Sequence, residues 1–275
     1  MSLGLYLKHL LVRTPFEAPA KLLRRTSQIP GQWRHRELRE LHAEPLRIEK
    51  AMARILKPDS NCVDVGCHIG STLSLMVRLA PRGVHWAFEP IPQKASWLRS
   101  KFPEVSIREI ALSNQSGTAA FHENLTRPGF SGFSEQAGRG DRTIEHVVRH
   151  ERLDDVLPPS QRVDFIKIDV EGCELFVLEG AADTMSRHRP TLLFECAPKG
   201  PQKFGREPRD LYDYITDRLA CSIYTPSGFL ESRRPLRLDE FLESLVYPFA
   251  AFNFFAVPRD RADDRVEVRG LLSGR

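Results

Sequence analysis

A chain of 275 residues, 41% hydrophobic and 28% charged, can bury one large core and reads as a single domain with appendages. A net charge of +4 is too mild to argue for nucleic acid, which is not expected as a partner. Five cysteines without a C-x-x-C pair argue against zinc and read as small buried thiols, and no apolar run reaches the ~18 residues of a membrane span, so a soluble, cytoplasmic protein is expected.

Residues 1–45 differ from the rest and read as a basic, amphipathic helical extension. Leu3, Leu7, Leu10 and Leu11 share one helical face, and residues 1–50 carry ten Lys/Arg against five Glu. Such a start either packs on its own domain, the expectation adopted here, or rests on a membrane through residues 1–13. Helix is expected on either side of Pro45, leading into a main domain over 46–260. A charged tail covers 261–275.

The stretch 61–77 carries the first chemistry. Cys62-Val63-Asp64-Val65 has the unbroken apolar character of a buried parallel strand. Gly66 and Gly70 form a turn, and Ser71 and Thr72 open a helix running to Pro81. Strand, glycine turn and helix open a nucleotide-binding α/β unit, in which backbone amides at the helix start meet a polar ligand. The turn reads D-x-G-x-x-x-G, with Asp64 where a dinucleotide fingerprint has its first glycine. A carboxylate there repels a pyrophosphate, and the P-loop Gly-Lys-Ser/Thr is absent. A ligand with an ammonium and a sulfonium and no phosphate suits Asp64 better. S-adenosylmethionine is such a ligand.

Val84 to Phe88 reads as a second strand ending in Glu89-Pro90. Glu89 lies 23 residues beyond Gly66, near the spacing of about 20 at which an acid on the second strand tip meets ribose hydroxyls. Ser106 to Leu112 is a third strand, and the Ala111-Leu112-Ser113 edge falls where an adenine could lie. Thr118 to His122 is a further strand. The glycine-rich 124–142, with Phe130 and Phe133, reads as a long loop that could act as a substrate-side lid. Val163 to Val170 is strand-like with Asp169 at its carboxyl end. Glu171, Gly172 and Glu174 open a helix ending near Pro190, and Thr191 to Cys196 is a parallel strand carrying Glu195. Asp64, Glu89, Asp169, Glu171 and Glu195 therefore fall at or just past the carboxyl ends of successive strands, the edge where open α/β sheets bind ligands. Beyond them the pattern gives a helix over Pro208 to Leu219, a strand over Cys221 to Tyr224, a helix over Leu238 to Leu245, and a last strand over Phe252 to Val257.

"VDVGCHIGSTLSLM", "FEPIPQKASWL", "IALSNQSGTAAFHEN", "RLDDVL", "VDFIKIDVEGCELFVLEGA" and "RPTLLFEC" together resemble, in order and spacing, the FkbM-type methyltransferase family over roughly residues 59–197. The resemblance implies an α/β class I methyltransferase fold, Rossmann-like, with a seven-stranded, mostly parallel sheet and helices on both faces. It implies S-adenosylmethionine as cofactor and O-methylation of a hydroxyl on a glycan, polyketide or other secondary metabolite. Carried over, Asp64, Gly66, His68 and Gly70 form the methionine-side loop, Glu89 with Pro90 the ribose site, and Ala111, Leu112 and Ser113 the adenine edge. His68 stands where the family usually has Asn. Asp169, Glu171 and Glu195 are the catalytic candidates, acting on the acceptor proton directly or as oxygen ligands of Mg²⁺, which the sequence leaves open. His122, His146 and His150 are alternative bases. A nicotinamide-dependent oxidoreductase and a non-catalytic scaffold are the competing classes.

Overall fold

The computed structural model describes residues 36–127, 130–134 and 140–262, with Thr14 and Gly138. The amphipathic start and the charged tail beyond residue 262 lie outside them. Ten strands form two sheets: β1 (Cys62–Val65), β2 (His85–Phe88), β3 (Ser106–Arg108), β4 (Ala111–Leu112), β5 (Gly117–Asn124), β6 (Thr143–Glu151), β7 (Phe165–Ile168), β8 (Thr191–Glu195), β9 (Cys221–Tyr224) and β10 (Asn253–Pro258). The main sheet has the order β3-β2-β1-β7-β8-β10-β9, parallel except for β10, which runs against both neighbours.

Alternation along the strands divides the core into two layers. Val63, Ile166, Leu192 and Phe254 pack on one face with the helices Glu174–Glu179 and Ala182–His188. Cys62, Phe165, Leu193 and Phe255 pack on the other with the helices Arg39–Ile55 and Ser71–Leu79. All five cysteines are free and buried. No helix among the described residues is long and apolar enough to cross a membrane.

Four local expectations change. Helix Arg39–Ile55 runs unbroken through Pro45, so the expected boundary between residues 45 and 46 falls inside one element. Glu44 in that helix is buried and accepts hydrogen bonds from the backbone of Phe252 and Asn253 and from the Asn253 side chain, at 2.9, 3.0 and 2.9 Å. The single strand expected over Ser106 to Leu112 is two. The Arg108 carbonyl accepts from Glu89 N–H at 3.1 Å, and the chain then crosses the sheet edge to pair Ala111 and Leu112 with β6. β6 itself was not expected. It pairs with β5 from Thr143 to His150, completing a three-stranded sheet in the order β4-β6-β5. Finally, the helix after Asp169 breaks at Gly180, where a Cβ would lie 2.0 Å from the Ser113 carbonyl oxygen. Asp154 of the "RLDD" block caps the second piece, accepting from Asp183 and Thr184 N–H, each at 2.9 Å.

Candidate active site

Strand order reverses between β1 and β7, and a cleft opens outside the carboxyl ends of β1, β2 and β7, as expected at such a switch point. Its unfilled space is about 840 Å³ including the solvent at its mouth. Of the residues expected from sequence, Gly66, His68, Glu89, Pro90, Ala111, Leu112, Asp169 and Glu171 line it. Asp64, Gly70 and Ser113 do not.

Asp64 corrects the reading in which its carboxylate meets the ligand. It is 0% exposed, beneath the floor of the cleft. The parallel register sets Lys167 of β7 directly beside it, and the ammonium stands 3.4 Å from Asp64 and 3.3 Å from Asp169. Lys167 Nζ also donates to the Gly66 carbonyl at 2.8 Å. Burial pushes the Asp64 carboxyl up and Lys167 partly offsets this; its oxygens make no hydrogen bond of good geometry, so the contact is ionic. Burial alone would discharge Lys167, but Asp169 and Asp64 hold it above the ordinary lysine value. Sequence reading missed this residue. A lysine in the middle of the apolar run "FIKI" was the available signal, since a strand buried on both faces tolerates a cation only opposite an anion.

The turn after β1 is tightly constrained. Gly66 has φ 70°, and a Cβ there would come within 2.0 Å of the Asp169 carbonyl oxygen. Gly70 has φ 75° and faces away from the cleft, close against Leu98 and Phe102. The N–H groups of Gly66 and Cys67 both donate to the Phe88 carbonyl, at 3.0 and 3.2 Å, and His68 N–H donates to Glu89 at 2.9 Å. These amides, expected to reach for a ligand, are thus taken up by the end of β2. Glu89 closes the arrangement by accepting from Ile91 N–H at 3.0 Å with its other oxygen. Burial pushes its carboxyl up to about 7, with Lys94 acting in the opposite direction. Lys94 is itself buried in the cleft wall, 3.4 Å from Glu123 of β5, which also contacts His146 Nε2 at 3.0 Å.

Phe121, Ser131 and Phe133 complete the wall on the side of Ala111 and Leu112. Phe133 meets Phe121 edge-on at 5.5 Å. In the stretch expected to be a plain loop, Asp141 accepts from Asn124 at 2.9 Å, Arg127 Nε at 3.0 Å and Gly138 N–H at 2.9 Å, and Ser131 Oγ accepts from Asn124 N–H at 3.0 Å. The three histidines weighed as bases lie outside the cleft wall. His150 Nδ1 is bonded to the Gln115 carbonyl at 2.8 Å.

At the floor of the cleft three acids converge: Asp169, Glu171 and Glu195 each offer an oxygen within 4.8 Å of the others. Glu195 is not itself part of the cleft wall. Burial opposes charge on Asp169, but Lys167 and a hydrogen bond with Glu195 hold its carboxyl below the ordinary range. Glu195 is driven well above that range by burial and by Asp169 and Glu171. Burial and Asp169 push Glu171 up to about 8. Glu171 and His68 are both left-handed, at φ 57° and 51°, a conformation non-glycine residues keep only where surroundings enforce it.

The cleft combines a carboxylate at Glu89, apolar walls at Leu112, Phe121 and Phe133, and an acidic floor. A seven-stranded sheet with one reversed strand and a cleft of this kind at its switch point defines the class I methyltransferases. A family described as the methyltransferase FkbM domain matches residues 64–221, more than half of the chain. The chain belongs to this family and is an S-adenosylmethionine-dependent methyltransferase. It is 28% identical over 181 residues to the 2-O-methyltransferase NoeI of Sinorhizobium fredii (strain NBRC 101917 / NGR234), covering 58% of this chain and 74% of that one. Among solved structures, methyltransferase FkbM from Methylobacillus flagellatus KT aligns at TM-score 0.44 and 16% identity, over 73% of this chain and 44% of that chain. The precorrin-6y C5,15-methyltransferase from Geobacter metallireducens GS-15 aligns at TM-score 0.37 and 14% identity, over 66% and 73%. Family membership sets aside the oxidoreductase alternative.

Proposed function

We propose that the protein methylates a hydroxyl oxygen of a glycan, polyketide or related secondary metabolite, and that Asp169, Glu171 and Glu195 manage the acceptor proton. The observation that carries this reading is the convergence of the three acids within 4.8 Å at the floor of a cleft whose wall holds Glu89. The name of its relative, a 2-O-methyltransferase, supports an oxygen acceptor. S-adenosylmethionine, when bound, supplies a methyl carbon already activated by its sulfonium. Glu89 accepts hydrogen bonds from the ribose hydroxyls, each of its oxygens keeping a lone pair beyond the one used by His68 or Ile91. Ala111 and Leu112 flank the adenine together with Phe121 and Phe133, while Gly66 and His68 border the methionine end. Asp64 acts from below, through Lys167, by fixing the Gly66 carbonyl.

Methyl transfer needs the two reactants aligned, worth up to ~7–11 kcal/mol, and a hydroxyl acceptor gains a further ~10²–10⁴-fold from a base. Glu171, raised to about 8, has a proton affinity matched to a neutral medium. With S-adenosylmethionine bound, it would take the acceptor proton as the methyl carbon–sulfur bond gives way to the new carbon–oxygen bond, leaving a neutral thioether, and would pass the proton to water. Asp169 and Glu195 share one proton and hold the floor. A second reading has a specific basis as well. The same three oxygens are spaced to ligate one Mg²⁺, with waters completing its shell.

The experiment is transfer of labelled methyl from S-adenosylmethionine to methyl glycosides and hydroxylated polyketides. Glu171→Gln is expected to lower kcat by ~10²–10⁴-fold while leaving S-adenosylhomocysteine affinity nearly unchanged. Turnover that survives EDTA assigns the acids to proton transfer, and turnover lost to EDTA and restored by Mg²⁺ assigns them to the metal. Full turnover in Glu171→Gln contradicts either role.

A further inference from the structure

Behind the acidic floor lies a fourth carboxylate that the reaction leaves without a task. Glu174 is 1% exposed and is the first residue of the helix Glu174–Glu179. Its side chain turns back over the preceding loop, where Oε1 accepts hydrogen bonds from the N–H groups of Val170 at 3.0 Å and Gly172 at 3.1 Å. Oε2 is buried with no hydrogen-bond partner among the described residues. Burial pushes this carboxyl up to about 7, and the neighbouring Asp169 adds to the effect. Placing a fourth acid beside three others is costly, so a compensating role is expected.

The two bonds fall on either side of Glu171. That residue is left-handed at φ 57°, and Gly172 follows at φ 108°. From the other side the Gly200 carbonyl presses on Gly172, leaving so little room that a Cβ there would lie 2.3 Å from its oxygen. The turn that presents Asp169 and Glu171 is therefore gripped between Gly200 and a single carboxylate oxygen. A helix cap does not account for this, since Glu174 bonds amides that precede the helix.

We propose that Glu174 is a positioning residue: by accepting from Val170 and Gly172 together, it fixes the turn that aims Asp169 and Glu171 into the cleft. Its consequence for turnover rests on the proton-handling role given above to those acids. What matters is the reach of an acceptor oxygen and not the charge it bears. Glutamine places a carbonyl oxygen at the same reach, whereas aspartate keeps the charge and stops one methylene short.

Glu174→Gln and Glu174→Asp separate the two. Glu174 does not line the cleft, so both variants are expected to bind S-adenosylhomocysteine within about threefold of the parent, by calorimetry. With a methyl glycoside or polyketide that the parent methylates, Glu174→Gln is expected to keep kcat within about threefold. Glu174→Asp is expected to lose about 10²-fold in kcat with KM little changed, the scale of loss that a displacement of about 1 Å brings. Hydrogen exchange at the Val170 and Gly172 amides should quicken in Glu174→Asp and stay slow in Glu174→Gln. The proposal is overturned by an aspartate variant with full turnover and slow exchange, by a glutamine variant as impaired as the aspartate one, or by cofactor affinity falling in step with turnover. Glu171→Gln is run in parallel. If it leaves kcat unchanged while exchange still quickens in Glu174→Asp, the proton-handling role falls and the grip on the turn stands.

Discussion

Burial holds the Glu89 carboxyl up at about 7, whereas a free glutamate sits near 4.5. In the ribose role proposed for it, its ionised form accepts the hydroxyls, so binding should follow its titration. Affinity for S-adenosylhomocysteine is expected to be highest above pH 8 and to weaken by up to about tenfold per unit as pH falls below 7. Glu89→Gln should bind weakly at every pH and lose that dependence, as calorimetry at pH 6 and pH 8 would read. An identical slope in the variant would move the effect to another group. A second residue-scale consequence concerns Lys167. Its replacement by Met leaves Asp64 buried with no cation, which should cost about 3–5 kcal/mol of stability in urea unfolding at neutral pH. The sign follows from burial raising Asp64: the loss is small below the ordinary carboxylate value, where folded and unfolded chains both hold the proton, and grows as pH rises above it. Stability unchanged at pH 8 would contradict the pairing. Much at this scale was legible in the sequence. Glu89, Asp169 and Glu171 stand at strand ends because the apolar runs before them end there. The task of Asp64 was not legible, since residue type alone does not tell a carboxylate in a cleft from one beneath it; the cross-strand neighbour Lys167 does.

Among the elements, the hairpin of β5 and β6 is the part that pattern reading missed. "TIEHVVRHE" does alternate, but the inward positions of β6 include His146 and His150, which sequence reading weighed as bases. The alternation became visible only once β5 supplied a partner along its whole length. The break of the expected strand at Glu109-Ile110 has the same origin, because β4 exists through β6. Lys94 fastens this hairpin to the main domain through Glu123, at 3.4 Å and with both side chains largely buried. Glu123→Gln should therefore loosen the wall formed by Phe121 and Phe133. S-adenosylhomocysteine affinity is expected to fall about tenfold, or about 1.4 kcal/mol, while stability to urea changes less. Unaltered affinity would show that the hairpin holds its place without this pair.

At the scale of the whole molecule, the seven-stranded sheet with helices on both faces was what the family resemblance implied, while apolar runs, glycine turns and helical spacing, all local signals, placed most of its strands along the chain. The long-range ties are less visible. Glu44 joins the helix Arg39–Ile55 to the start of β10, more than 200 positions away along the chain, and bonds Asn253, the residue that pairs with Glu195. Glu44→Leu leaves three donors at Phe252 and Asn253 without an acceptor and should cost about 3 kcal/mol in urea unfolding. A change under about 0.5 kcal/mol would mean that water replaces it. One measurement bears most directly on the central claim, that the cleft outside β1, β2 and β7 is the cofactor site of a methyltransferase. It is calorimetric titration of the folded protein with S-adenosylhomocysteine, alongside its Glu89→Ala variant, with NADH titrated in parallel. Binding at about 1 μM, on the order of −8 kcal/mol, is expected, weakened at least tenfold in the variant, with no binding of NADH. A folded protein that does not bind S-adenosylhomocysteine, or that binds it equally well without Glu89, would contradict that claim.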